Sequence, residues 1–254
     1  MATCIKYIGA FISLGVASVA SADLITPGSC FMDAKGQLQI GYFQGTNFFT
    51  QFDDTQEQFS FLPSDTLLSS VQDHITGQPD YSGDGAASGQ VLANYASDFF
   101  SLHLDSSADD HFTTIPDGNG KTWQHSAYGN AFDTFVFTVV DPVQVTINLS
   151  GTHDSQSQFV GQLLNQTTNE VLWLHTIDNG NSGGVSMTLA AGDYSLFGWL
   201  EALSREDSIN RTSESHMDLT LSATPVPEPA SFVVLLLGAG VMARRRRKAS
   251  PAIC

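Results

Sequence analysis

Basic side chains are scarce in this chain, and most of the few present sit at its ends. Of ten Lys and Arg residues in 254, Lys6 lies near the start and Arg244, Arg245, Arg246, Arg247 and Lys248 near the finish. Only Lys35, Lys121, Arg205 and Arg211 remain for everything between. Residues 23–224 thus carry 25 acidic side chains against four basic ones, a net of −21. A surface so acidic repels phosphate backbones, which excludes nucleic acid as a partner of this part. Cysteine is scarcer still. Cys4 and Cys254 lie near the ends and Cys30 stands alone in the body, so no disulfide framework is available, and Cys30 is expected to pack as a small apolar residue. No apolar run reaches the roughly 18 residues of a comfortable bilayer span. Signatures of chemistry are missing as well: there is no H-E-x-x-H, CxxC, G-x-S-x-G or phosphate-loop pattern. No catalytic residue and no cofactor is expected, and zinc finds little support. The composition, 42% hydrophobic and 14% charged, is that of an ordinary globular protein.

The two ends read as processing segments. Residues 1–22 hold one positive charge, an apolar stretch from Ile8 to Ala20, and the small residues Ala20-Ser21-Ala22. This is the pattern of a secretory signal cut by signal peptidase after Ala22, giving a mature chain that starts at Asp23. At the other end, Pro225-Val226-Pro227-Glu228-Pro229 holds an extended segment, because each proline fixes its φ and removes a donor. An apolar run from Phe232 to Ala243 follows, then the basic cluster Arg244 to Lys248. A short apolar helix with a cationic end stops translocation, leaving the acidic body outside and the arginines in the cytoplasm.

The Pro227-Glu228-Pro229 motif, the apolar segment and the Arg-rich end together resemble the PEP-CTERM sorting signal of Gram-negative-type bacteria. That resemblance implies recognition by exosortase at Pro227, Glu228 and Pro229, and transient insertion of the 232–243 segment in the inner membrane. It further implies that Arg244, Arg245, Arg246, Arg247 and Lys248 act as the stop, and that the protein reaches the cell surface or an exopolysaccharide-rich biofilm matrix. It covers about 25 residues and leaves the body's activity open.

The body, residues 23–224, reads as all-β. Phe135, Phe137 and Val139 alternate with polar or outward positions, and Val143, Val145, Ile147 and Leu149 alternate with Gln144, Thr146 and Asn148, the period of half-buried antiparallel strands. Further strands are expected at 158–164, 171–177, 185–189, 194–200 and 216–221, separated by Gly, Asn and Asp clusters. In the earlier half they are expected at 38–43, 47–52, 58–62, 91–95 and 99–104. Leu67, Leu68, Val71 and Ile75, after Pro63-Ser64-Asp65 and before Gly77, predict one short helix. Segments 80–89 and 105–120 read as loops. The fold class expected is an antiparallel β-sandwich, jelly-roll-like, between the signal peptide and a single C-terminal transmembrane helix. It forms either one body or sub-regions 23–130 and 131–224. Leu189-x-x-Gly192-x-Tyr194 places a tyrosine hydroxyl to fold back on upstream backbone at a sandwich corner. The later half, from the Phe132 to Val140 strand to this Gly-x-Tyr strand, also resembles the bacterial prepeptidase C-terminal β-sandwich, which implies an accessory fold without activity.

Candidate chemistry in the body is thin. Asp105, Asp109, Asp110, Asp117 and Asn119 crowd what reads as a single loop, an oxygen-rich setting for calcium, although Lys121 breaks the EF-hand spacing. Seven histidines, His74, His103, His111, His125, His153, His175 and His216, are scattered; His103 and His175 fall in strands, as packed or hydrogen-bonded residues. Among the tryptophans, Trp173 and Trp199 read as core, while Trp123, between polar residues, is the one placed to stack on a sugar. Three functions follow from different classes: a non-catalytic structural or adhesive protein of the envelope or matrix, a carbohydrate-binding module for exopolysaccharide, and a secreted hydrolase using a carboxylate pair.

Overall fold

In the computed structural model, residues 23–75, 81–114, 121–176, 180–205 and 212–226 are described. They form thirteen β-strands: β1 (Ile25–Gln44), β2 (Asn47–Ser60), β3 (Asp65–Ile75), β4 (Tyr81–Ala96), β5 (Phe99–Asp110), β6 (Thr113–Thr114), β7 (Lys121–Val139), β8 (Val143–His153), β9 (Ser157–Asn165), β10 (Glu170–Thr176), β11 (Ser182–Leu189), β12 (Gly192–Arg205) and β13 (Thr212–Pro225). No helix long and apolar enough to cross a membrane occurs among the described residues. The signal segment with Ala20 and Ala22, the apolar 232–243 run, Pro227 to Pro229 and the basic cluster lie outside them.

Two antiparallel sheets pack face to face. Sheet A has the order β10-β9-β12-β7-β1-β2, and sheet B the order β11-β8-β13-β5-β4-β3 with β6 beside β4. Both sheets draw strands from both halves of the sequence, the earlier ones grouped at one edge and the later ones at the other, and β7 runs straight through residue 130. The half-buried strands predicted by period-two alternation in the later half are all present.

The sandwich is wide and aromatic at one end, thin at its waist, and closed beyond that by a smaller cluster of Ile40, Phe112 and Trp123. Phe100 and Phe135 stack at 4.3 Å with planes 4° apart, and Phe137, Tyr194 and Tyr95 extend the stack within the main core. Aromatic rings there bury the most area per residue, the term that drives sheet-on-sheet packing. Toward the waist the filling changes to Ala87, Ala108, Ala127 and Ala202 around Leu38 and Val71. The backbones approach so closely that a Cβ on Gly89 would lie 1.9 Å from the Asn130 carbonyl oxygen. One on Gly129 would lie 2.3 Å from that of Ser88 and 2.4 Å from that of Ser107.

This thinning explains two departures from the sequence reading. Residues 81–89 and 105–110 are strand, not loop, because their Gly, Ala and Ser content reflects the narrow gap and not a turn. The helix expected after Pro63 is also a strand, β3, which buries Leu67, Ser69 and Val71 and exposes Leu68 and Ser70. Apolar residues four apart fit period two as well as a helical turn, and pairing with β4 decides between them.

Candidate functional site

The outer face of sheet A carries a chain of aromatic rings. Cross-strand register aligns Phe31 with Thr134 and Phe197 in one row, and Phe59 with Asp33, Phe132 and Trp199 in the next. Ring centroids step from Phe59 to Phe61 (5.9 Å), Phe61 to Phe31 (5.4 Å), Phe31 to Phe132 (5.3 Å) and Phe132 to Phe197 (6.3 Å). Phe59 and Phe61 are 64% and 65% exposed, although rings of this size are ordinarily buried. Asp33 lies among them, its carboxyl pushed up to about 6 by burial and by neighbouring Glu57. The tryptophan expectation is reversed: Trp123 is buried with Ile40 and Phe112, whereas Trp199 faces outward in the aromatic rows. Trp173 packs against the main core, as expected. The error over Trp123 came from reading its polar neighbours as a loop; they are the outward positions of β7.

On the outer face of sheet B, His103 and Asp105 on β5 meet His216 and Asp218 on β13, with Asp105 opposite His216 and His103 opposite Asp218. The four side chains close a ring. His103 Nε2 lies 2.8 Å from Asp105 Oδ2 and His103 Nδ1 2.8 Å from Asp218 Oδ1. His216 Nδ1 lies 2.8 Å from Asp105 Oδ1 and His216 Nε2 2.9 Å from Asp218 Oδ2. Burial alone would lower His216, but its bonds to Asp105 and Asp218 outweigh that and hold the imidazole above its ordinary range. Burial would likewise raise Asp218, and the two histidines instead hold it below the usual carboxylate range. The signal for this cluster was two His-x-Asp tripeptides, each aligning its pair on one strand face. Their juxtaposition depends on a β5–β13 pairing across more than a hundred residues.

The acidic group expected in one loop is divided instead. Strand alternation sends Asp105 and Asp109 outward and Asp110 inward, where its carboxylate bonds His125 Nδ1 at 2.6 Å. Asp109 accepts a bond from Thr212 Oγ1 at 3.1 Å. Asp117 and Asn119 lie outside the described residues. His175 is buried and its Nε2 bonds the Gly180 carbonyl oxygen at 2.9 Å. Cys30 is buried, its thiol donating to Asp133 at 3.2 Å. A cleft of about 650 Å³ opens near Trp123, His125, Gln39, Phe48 and Arg205; among the described residues no carboxylate lines it.

The chain enters and leaves the sandwich at one end. Ile25 N–H donates to the Ser97 carbonyl oxygen at 3.2 Å, and Ala223 N–H donates to that of Asp98 at 2.7 Å, so the β4–β5 turn holds both. Tyr95 Oη adds a bond to the Ile25 carbonyl oxygen at 2.6 Å. Pro225, opposite Val143, is the last residue of β13, and residues 225–248 match the family model of the PEP-CTERM protein-sorting motif. The chain carries a PEP-CTERM sorting signal. The signal implies processing by exosortase, export and sorting to the cell surface. The matched region begins at Pro225, the last residue of β13.

No curated protein matches this PEP-CTERM chain. Among solved structures, it is similar to the enzymatically active domain of tailspike protein 4 of bacteriophage CBA120, at 10% identity and a TM-score of 0.20. That match covers 62% of this chain and 19% of the tailspike chain. It is also similar to a chain in the structure of the infectious bursal disease virus Gx strain, at 8% identity and a TM-score of 0.21, covering 78% of this chain and 56% of that one. This chain thus spans a fifth of the first neighbour and little over half of the second, and neither likeness bears on function.

Proposed function

We propose that this PEP-CTERM protein works without catalysis, as an adhesive component of the cell envelope or extracellular matrix that holds exopolysaccharide on the aromatic face of sheet A. In this reading signal peptidase removes residues 1–22. The 232–243 segment then rests in the inner membrane until exosortase acts at Pro227 to Pro229. The supporting observation is the row of exposed rings. Flat apolar ring faces stack on the apolar faces of pyranoses, and the interleaved Thr134 and Gln162 offer hydrogen bonds to hydroxyls from the same surface. A hydrolase needs convergent carboxylates in a cleft, and the cleft near Trp123 has none among its described lining residues. The test is binding of the exported chain to the producer's own exopolysaccharide and to a glycan array. A Phe59→Ser, Phe61→Ser double variant, altered only at exposed positions, is expected to lose at least tenfold in affinity. Undiminished binding by that variant, or no polysaccharide retained by the unaltered chain, overturns the proposal.

A further inference from the structure

The ring of His103, Asp105, His216 and Asp218 sets four imidazole nitrogens against four carboxylate oxygens. Each of the four imidazole nitrogens faces a carboxylate oxygen at 2.8–2.9 Å. A neutral imidazole carries one N–H, so two neutral histidines satisfy two of these contacts. In the other two a nitrogen lone pair would oppose a carboxylate oxygen, which is repulsive. The other two contacts close when a cation, whether a proton or a metal ion, comes between nitrogen and oxygen. The residues flanking the ring across the sheet, Gln90, Leu92, Ser150 and Thr152, carry no positive charge, and the surrounding body is strongly acidic.

We infer that this cluster is a binding site for one divalent transition-metal cation of the borderline class, represented by Zn²⁺, held by His103 Nε2, His216 Nδ1 and the Asp105 carboxylate. Ligand atoms of these three residues already lie within 4.8 Å of one another. Two imidazoles with one carboxylate are a donor set for which such ions outcompete calcium. Asp218 is the positioning residue: its two oxygens accept N–H bonds from His103 Nδ1 and His216 Nε2, which fixes both tautomers so that the opposite nitrogens present lone pairs to the ion. A tetrahedral ion with bonds of about 2.0–2.2 Å sets its ligands about 3.4 Å apart, so the Asp105 contacts widen by roughly half an ångström. The side chains are a third to a half exposed and have room for that adjustment. With three protein ligands, a coordination position faces solvent, open to water or to an oxygen of a matrix component.

The experiment is calorimetric titration of the full chain, stripped with chelator, with Zn²⁺ and separately with Ca²⁺. One equivalent of Zn²⁺ is expected to bind saturably and to raise the melting temperature, with Ca²⁺ failing to compete. Asp105→Asn and His216→Gln should abolish the one-equivalent event, and Asp218→Asn should weaken it about 10–100-fold, as loss of an outer partner does. Nitrogen NMR of the unaltered chain guards against misfolded variants: Zn²⁺ should move His103 Nε2 and His216 Nδ1 and leave the other histidines in place. Absence of a saturable equivalent, retained affinity in Asp105→Asn, equal competition by Ca²⁺, or shifts centred on other histidines would each overturn the assignment.

Discussion

Asp133 shows how one side chain couples this fold to pH. It is fully enclosed, with one carboxylate oxygen bonded by Cys30 and the other without a hydrogen-bond partner. Burial pushes its carboxyl from an ordinary 3.8 up to about 7, outweighing the bonds from Cys30 and the Thr134 amide that favour the charge. The folded state therefore holds this proton through a range in which the unfolded chain has lost it. The contribution to stability is greatest below about pH 4, falls as pH rises toward 7, and is flat above that, on the order of a few kcal/mol in all. Asp133→Asn removes the charge and keeps the shape. Its stability gain over the unaltered chain, read from urea unfolding, should be larger at pH 8 than at pH 5; an equal gain at both would mean that burial is not what holds the proton.

Within single elements, the sequence was legible where apolar and polar residues alternate and opaque where the sheets close together. β8, β9, β12 and β13 announce themselves through residues such as Val143, Val145, Ile147 and Leu149. The Gly-x-Tyr signature likewise delivers its bond, Tyr194 Oη to the Ala190 carbonyl oxygen at 3.0 Å. The Ser, Ala and Gly run through β4 carries no such contrast, because its inward positions face a backbone and not a cavity. The aromatic face was hidden for the opposite reason: phenylalanines read as core wherever they fall, and only the register shows that Phe31, Phe59, Phe132 and Phe197 point away from it. The narrow gap makes its own prediction. Gly129→Ala, whose Cβ would meet two carbonyl oxygens of sheet B, should cost roughly 1–3 kcal/mol or more in urea unfolding. Gly28→Ala, whose Cβ would sit at an ordinary 3.4 Å from its neighbour, should cost far less. Equal costs would show that the sheets separate to admit the methyl group.

Taken whole, the protein is a body whose sorting signal starts at the last residue of a central strand. The tail's recognition motif could be read directly from consecutive residues, since Pro227, Glu228 and Pro229 carry their pattern locally. The adjacency of Ile25 and Ala223 could not, because it rests on a turn at residues 97–98 distant from both in sequence. Mass spectrometry of the exported product should find a C-terminus near residues 227–231, and recovery of intact Arg244 to Lys248 on exported chains would show a permanent anchor instead. β13 is bonded to β5 on one side and β8 on the other through most of its length. Traction on the C-terminal end of β13 runs along that strand and loads both ladders lengthwise, so that many bonds must yield together. A pull on this end is thus met in shear by two neighbouring strands at once, where an edge strand such as β2 could be peeled away bond by bond.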